Sequence, residues 1–320
     1  MVTGGAGFIG SYLVDRLMAE GYAVVVLDNL SNGNIKNIRS HLRDLNFSFI
    51  RADLKEKRRL EEQLNGVDCV FHFAANPEVR VGEVDPSVHF NENLVATFNL
   101  LEAMRKSETA RTIIFASTST VYGEASKLPT PEDYAPMIPI STYGASKLCC
   151  EALISSYAHT FGLRGLILRL ANIVGSRATH GVILDFIEKL RRDTGKLEIL
   201  GDGSQNKSYL HIQDCVNAIL CLTKAFLEDS KRVDIYNVGS TDQVTVGKIA
   251  EIVVRETNIP NVKLFFTGGV DGGRGWLGDV KLMRLSVEKL MKVGWRPKYS
   301  SEEALTLATR EILRDLIQTK

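Results

Sequence analysis

The sequence predicts an α/β protein: a doubly wound parallel sheet with a smaller α/β C-terminal lobe. Three observations carry that expectation. Short apolar runs at 23–27, 47–50, 69–73, 112–115 and 165–169 alternate with helical patterns at about 8–20, 58–65, 88–106 and 143–161. A glycine-rich turn, Gly4-Gly5-Ala6-Gly7-Phe8-Ile9-Gly10, opens the first of those helices. Beyond about residue 172 the texture changes to helical patterns broken by short strands and glycine-rich turns.

The five runs are apolar at consecutive positions rather than alternating, which suits strands covered on both faces. Strand–helix alternation implies right-handed crossovers and a parallel sheet. Only Met1 and Val2 precede Thr3, so the first strand is expected to be clipped and to make few ladder bonds. In the second half, helical patterns near 182–193, 212–227, 245–257 and 301–317 flank short strands at about 197–200 and 234–238. Glycine turns fall at 201–203, 268–269 and 271–276. The expected division is a dinucleotide-binding domain over 1–172 and a substrate lobe over 173–320, the two interleaved.

The 320 residues are 44% hydrophobic and 24% charged, ordinary for a soluble globular chain. A net charge of +1 gives no reason to expect a nucleic-acid or membrane partner. No apolar run reaches the length of a membrane span, and the chain opens directly in the glycine motif. A cytoplasmic protein without a signal peptide is the expectation. Five cysteines, with no CxxC pair, predict reduced thiols and no metal site. Cys149 and Cys150 are expected to pack.

Gly4, Gly7 and Gly10 let the backbone turn tightly and approach phosphates without a Cβ in the way. Phe8 and Ile9 continue the turn into a helix whose free N–H groups and dipole favour an anion. Asp28 closes the second strand, where a carboxylate can hold ribose hydroxyls. It repels a 2′-phosphate, and the residues from Asn29 to Asn34 include no arginine to attract one. The expected cofactor is therefore NAD. Asp53 and Leu54, after the third strand, are placed at the adenine. Phe73, Ala74 and Ala75 provide small surroundings where the fourth strand passes the dinucleotide.

Tyr143 and Lys147 lie four apart on a helix, hence on one face. A free phenol needs its pKa lowered by about 3 units, or roughly 4 kcal/mol, to be half ionised near pH 7. One ammonium at about 4 Å supplies about that much at an effective dielectric near 20. The pair can thus form a general base. The hydroxyl cluster Ser117-Thr118-Ser119-Thr120 follows the fifth apolar run, at a carboxyl end of the sheet, where ligands sit in such folds.

These stretches resemble the extended short-chain dehydrogenase/reductases, in particular the NAD-dependent nucleotide-sugar epimerase/dehydratase group. The resemblance spans essentially the whole chain. It includes His72-Phe-Ala-Ala75, Ser117-Thr-Ser-Thr-Val-Tyr-Gly123, Tyr143-x-x-x-Lys147, Leu168-Arg-Leu-Ala-Asn172, Gly201-Asp-Gly-Ser-Gln205 and Asp271-Gly-Gly-Arg274. It implies Tyr143 as catalytic base. Lys147 would bind the nicotinamide ribose and lower the tyrosine pKa, and Thr118 would bridge to the sugar. It implies cofactor contacts at Asn93 and Ser117, and contacts to a uridine diphosphate sugar at Asn172, Gln205, Lys207 and Arg274. Lys207 stands where many relatives carry arginine, and a lysine offers a point charge instead of the arginine fork. Leu170-Ala171 replace two aromatics of many relatives. Arg80 reads equally as a substrate-side residue or a surface arginine.

Dehydratases of the group place Asp-Glu directly after the threonine. Here Ser119 and Thr120 follow it, which favours epimerisation. The implied activity is reversible 4-epimerisation of UDP-glucose and UDP-galactose through a 4-keto sugar. The alternatives are another UDP-sugar, such as UDP-glucuronate or a UDP-N-acetylhexosamine, or a non-catalytic NAD(H)-binding protein. The resemblance also implies a homodimer, a four-helix bundle built from helices near 88–106 and 143–161.

Overall fold

A computed structural model describes residues 1–318, apart from the side chains at 58, 59 and 318. The chain forms two compact units. The first comprises 1–121, 142–169 and 216–236; the second comprises 122–141, 170–215 and 237–320.

The first unit is built on strands β1 (Val2–Thr3), β2 (Val24–Asp28), β3 (Phe47–Arg51), β4 (Cys69–His72), β5 (Thr112–Thr118) and β6 (Arg164–Leu170). With the strand Val233–Val238 they make a seven-stranded sheet in the order Val233–Val238, β6, β5, β4, β1, β2, β3. The pairings of β1 with β2 and β4, of β2 with β3, and of β4 with β5 are parallel. Strand order reverses between β1 and β4, so a crevice opens at their carboxyl ends, where ligands of open α/β sheets bind. The inner strands are present because their runs are apolar on both faces, while the edge strand β3 is only half-buried. Every residue of β5 is buried, and Ile113, Ile114 and Phe115 are fully enclosed. Each such side chain contributes roughly 1.5–3 kcal/mol of burial free energy.

β1 has only two residues, as expected, and pairs on both sides: Val2 with Val26 on one and Phe71 on the other. One detail differs from the sequence reading. The strand at 233–238, expected in the second lobe, is instead an edge of the large sheet. The helix Ile212–Glu228 precedes it, which is the connection that parallel addition to a sheet requires. The segment 216–236 groups with the first unit and 122–141 with the second.

The helix expected at 88–106 is also interrupted. It runs as Ser87–His89, a π-helical stretch Phe90–Val95, and Ala96–Lys106. Such single π turns gather at functional sites.

In the second unit, Lys196–Ile199 pairs in parallel with Lys263–Phe266, and Asn172–Val174 with Tyr209–His211. Asn206–Lys207 lies between Val244–Thr245 and Leu282–Met283. Helices Val182–Arg192, Val246–Thr257 and Ser301–Gln318 pack around a core that includes Phe186, Leu197, Ile249 and Leu305. Helix Val246–Thr257 starts cleanly because Thr245 caps it, accepting from the N–H of Lys248.

Candidate active site

The glycine turn is packed as tightly as its composition suggests. A Cβ at Gly10 would lie 2.2 Å from the carbonyl oxygen of Gly4. Gly4 itself has φ +69°, and a Cβ there would lie 2.6 Å from the backbone nitrogen of Ala74. The same contact draws residues 73–75 against the turn, where Phe73 N–H also donates to Thr3 O at 3.1 Å. The helix Phe8–Ala19 begins at Gly7, with no side chain capping its first N–H groups. Those groups remain directed at whatever anion occupies the turn.

Asp28 is buried at the end of β2, and its carboxylate accepts from the N–H groups of Ala6 (3.0 Å) and Leu30 (2.8 Å). Burial raises its pKa, and those two bonds oppose the shift. Asn29 donates to Asp53 at 3.1 Å, tying the ends of β2 and β3 together. These residues fit a dinucleotide: a glycine cradle that a Cβ would fill, a helix N-terminus, and carboxylates at the next two strand ends. Leu54 departs from its expected role. Its side chain is buried in the core cluster, while its carbonyl accepts from Asn99.

Three turns of the helix Thr142–Phe161 engage β5. Thr118 hydrogen-bonds the Tyr143 hydroxyl. Lys147 Nζ donates to Ala116 O at 2.9 Å, and Ser117 Oγ donates to Glu151. The polarity at Thr118 follows from its neighbours. Its oxygen accepts from the N–H and the hydroxyl of Thr120, both at 3.2 Å, which leaves its own proton for Tyr143. Ser119 and Thr120 follow with hydroxyls only.

Burial pushes the Tyr143 phenol up to about 12, with the Thr118 hydrogen bond working against it. The Lys147 ammonium is turned to Ala116 O and lies 4.7 Å from the centre of the Phe115 ring. Burial also pulls Lys147 down to about 8. The spacing of the pair is as expected, and burial keeps the phenol protonated near neutral pH in this geometry.

Ser117 spends its proton on Glu151 rather than presenting it outward. Asn93 lies in the π-helical stretch, fully buried. It accepts from the N–H of Asn76 (2.8 Å) and donates to Ser146 Oγ (3.1 Å), so it braces the helix of Tyr143. Its carbonyl, loosened by the π turn, accepts from Thr97 Oγ1 at 2.7 Å. Of the two adjacent cysteines only Cys150 packs; Cys149 is exposed, since neighbours on a helix point about 100° apart. Arg80 pairs with Glu78 at 3.2 Å on the surface.

Several residues of this site were not anticipated. Arg169 is 2% exposed and forks onto Glu151, which is 4% exposed. A charge inside the apolar run 165–169 was the available signal, because an arginine there must find a buried partner. His89 packs edge-on against the Tyr143 ring, with centroids 5.5 Å apart, and meets Thr142 Oγ1 at 2.9 Å.

The second unit holds the remaining candidates. Gly201, at φ +93°, lies so close to Gln205 that a Cβ would sit 2.1 Å from its amide nitrogen. Gln205 is 2% exposed; its Nε2 donates to Leu200 O, and its buried Oε1 has no partner among the described residues. Asn172 donates to Ser208 O at 3.2 Å. Lys207, expected as a phosphate contact, is paired with Asp279. Arg274 is paired with Glu124 and Asp271.

Together these features define an enzyme fold that holds a dinucleotide beside a tyrosine–lysine helix. The chain belongs to the NAD dependent epimerase/dehydratase family, whose model matches residues 1–239, and NAD is its cofactor. A crystal structure of a UDP-galactose 4-epimerase is 46% identical, covers 98% of each chain and superposes with a TM-score of 0.85. The UDP-glucose 4-epimerase of Mycolicibacterium smegmatis is 30% identical over 329 residues, 99% of each chain. The UDP-glucuronic acid 4-epimerase from Bacillus cereus, solved with UDP-glucuronic acid and NAD, is 29% identical. It covers 98% of each chain with a TM-score of 0.86. Among the described residues no helix is long and apolar enough to cross a membrane.

Proposed function

We propose that the protein interconverts UDP-glucose and UDP-galactose by reversible oxidation at the sugar C4. The observation that carries this reading is the Tyr143–Thr118 hydrogen bond, followed by hydroxyls at Ser119 and Thr120. Elimination of water needs a carboxyl acid and base beside the sugar, and those two positions provide neither. Oxidation and reduction at one carbon need only one proton acceptor, which Tyr143 supplies.

Bound NAD would supply the hydride acceptor and donor for oxidation and reduction at the sugar C4. Tyr143 Oη removes the 4-hydroxyl proton and gives it back. Thr118 donates to the Tyr143 oxygen and favours its ionised form before the proton is taken. Lys147 supplies the cation that brings the phenol toward the working pH once its side chain leaves Ala116 O. In the second unit, Asn172, Gln205, Lys207 and Arg274 are proposed to hold the uridine diphosphate while the hexose turns. Helices Ala96–Lys106 and Thr142–Phe161 are proposed as the surface of a homodimer.

The test is a substrate panel of UDP-glucose, UDP-glucuronate and UDP-N-acetylglucosamine, with products separated by chromatography. Conversion of UDP-glucose to UDP-galactose at the highest kcat/KM is expected. Turnover of UDP-glucuronate alone would replace the substrate, and a 4-keto-6-deoxy product would replace the reaction.

A further inference from the structure

Most of the donors of Arg274 are already engaged. A guanidinium has five N–H donors. Its Nε donates to Asp271 O (3.0 Å) and Oδ2 (3.1 Å). One Nη1 proton goes to Asp279 O at 2.8 Å and the other to Glu124 Oε1, while Nη2 donates to Glu124 Oε2 at 2.7 Å. At least four donors are engaged, and the two aimed at Glu124 form the planar fork that a phosphate would use. The neighbouring cation, Lys207, is neutralised by Asp279.

The partners of Arg274 are not equivalent. Asp271 and the Asp279 carbonyl belong to its own loop, three residues before and five after it. They shape that loop around the arginine. Glu124 comes from 150 positions away in sequence, and its side chain is 44% exposed. It is the one acceptor that can leave without unfolding the loop. The Arg274 bond holds its carboxyl below the usual range, so it keeps its charge throughout neutral pH.

We propose that Glu124 is a displaceable counterion that occupies the diphosphate fork of Arg274 and must swing away before a nucleoside diphosphate binds there. This rests on the reading of Arg274 as a UDP contact. Glu124 then sets affinity by competition: the apparent dissociation constant rises as the fraction of open guanidinium falls. It also rejects weakly charged ligands, which cannot repay the loss of the ion pair. Salt acts on both sides of the exchange, since it weakens the ion pair that closes the fork as well as the pair that the phosphate makes. The native protein should therefore show a shallower salt dependence of UDP binding than a protein without the carboxylate.

The experiment is titration of the full chain with UDP, by calorimetry, for the native protein and Glu124→Gln. The substitution is nearly isosteric at an exposed side chain, so the fold is preserved. About fivefold tighter UDP binding is expected, with a steeper fall of affinity as salt rises. In an Arg274→Ala background the same substitution should change nothing. Unchanged or weaker binding by Glu124→Gln overturns the proposal, for it would make Glu124 a brace of Arg274 or a bystander. A native protein that takes up no UDP at all overturns the UDP reading itself, and this inference with it.

Discussion

The buried ion pair between Arg169 and Glu151 offers the most quantitative test of how the site is built. Arg169 Nε lies 3.1 and 3.2 Å from the two Glu151 oxygens, and Nη2 lies 2.7 Å from Oε2. Ser117 donates the further hydrogen bond that helps compensate the buried carboxylate. Arg169→Met keeps most of the volume and removes the charge. Glu151 then loses its ion-pair partner in the interior, a loss on the order of 3–5 kcal/mol. Removing both charges, with Arg169→Met and Glu151→Leu, takes away the uncompensated carboxylate and leaves the Ser117 hydroxyl without its acceptor, at about 1–3 kcal/mol. The double variant should therefore be more stable than Arg169→Met alone, by roughly 2 kcal/mol. Urea unfolding of the four proteins measures it. For a slope of about 3 kcal/mol/M the single variant shifts its midpoint down by roughly 1 M. A single variant within about 1 kcal/mol of native, or costs that simply add in the double, would refute the assignment of a paired buried charge.

Two further outcomes follow from the same geometry. Gly10→Ala places a methyl group against the Gly4 carbonyl, so NAD affinity, followed by quenching of protein fluorescence, should fall at least tenfold. Burial depresses Lys147 to about 8 from an ordinary 10.5, so between those values the unfolded chain binds more protons and stability rises with pH. That contribution, about 3 kcal/mol across the window, is lost as pH falls toward 8. It should be absent from Lys147→Met when denaturation midpoints are compared at pH 7.5 and 10.

The legible part of the molecule was the part made by local patterning. Apolar runs with no alternation located β2 to β6, and the glycine turn with Asp28 marked the carboxyl ends that form the cofactor site. Tyr143 and Lys147 were readable because helical spacing alone puts them on one face. What escaped depends on distance along the chain. Lys207 finds Asp279 across 72 positions and Arg274 finds Glu124 across 150, and nothing near either residue announces its partner. The π-helical stretch at 90–95 was invisible for another reason: one wider turn leaves the pattern of apolar residues almost unchanged. The direction of the Lys147 ammonium is a rotamer choice, decided by the Ala116 carbonyl rather than by spacing.

One measurement bears most directly on the proposed chemistry: turnover of UDP-glucose by Tyr143→Phe, with NAD and UDP affinities recorded on the same preparation. The phenylalanine ring fills the same space and removes only the oxygen that Thr118 addresses. Epimerisation should fall by a factor on the order of 10²–10⁴ while both affinities stay within about threefold. Turnover within tenfold of native, with both ligands bound as before, would contradict a proton transfer through Tyr143.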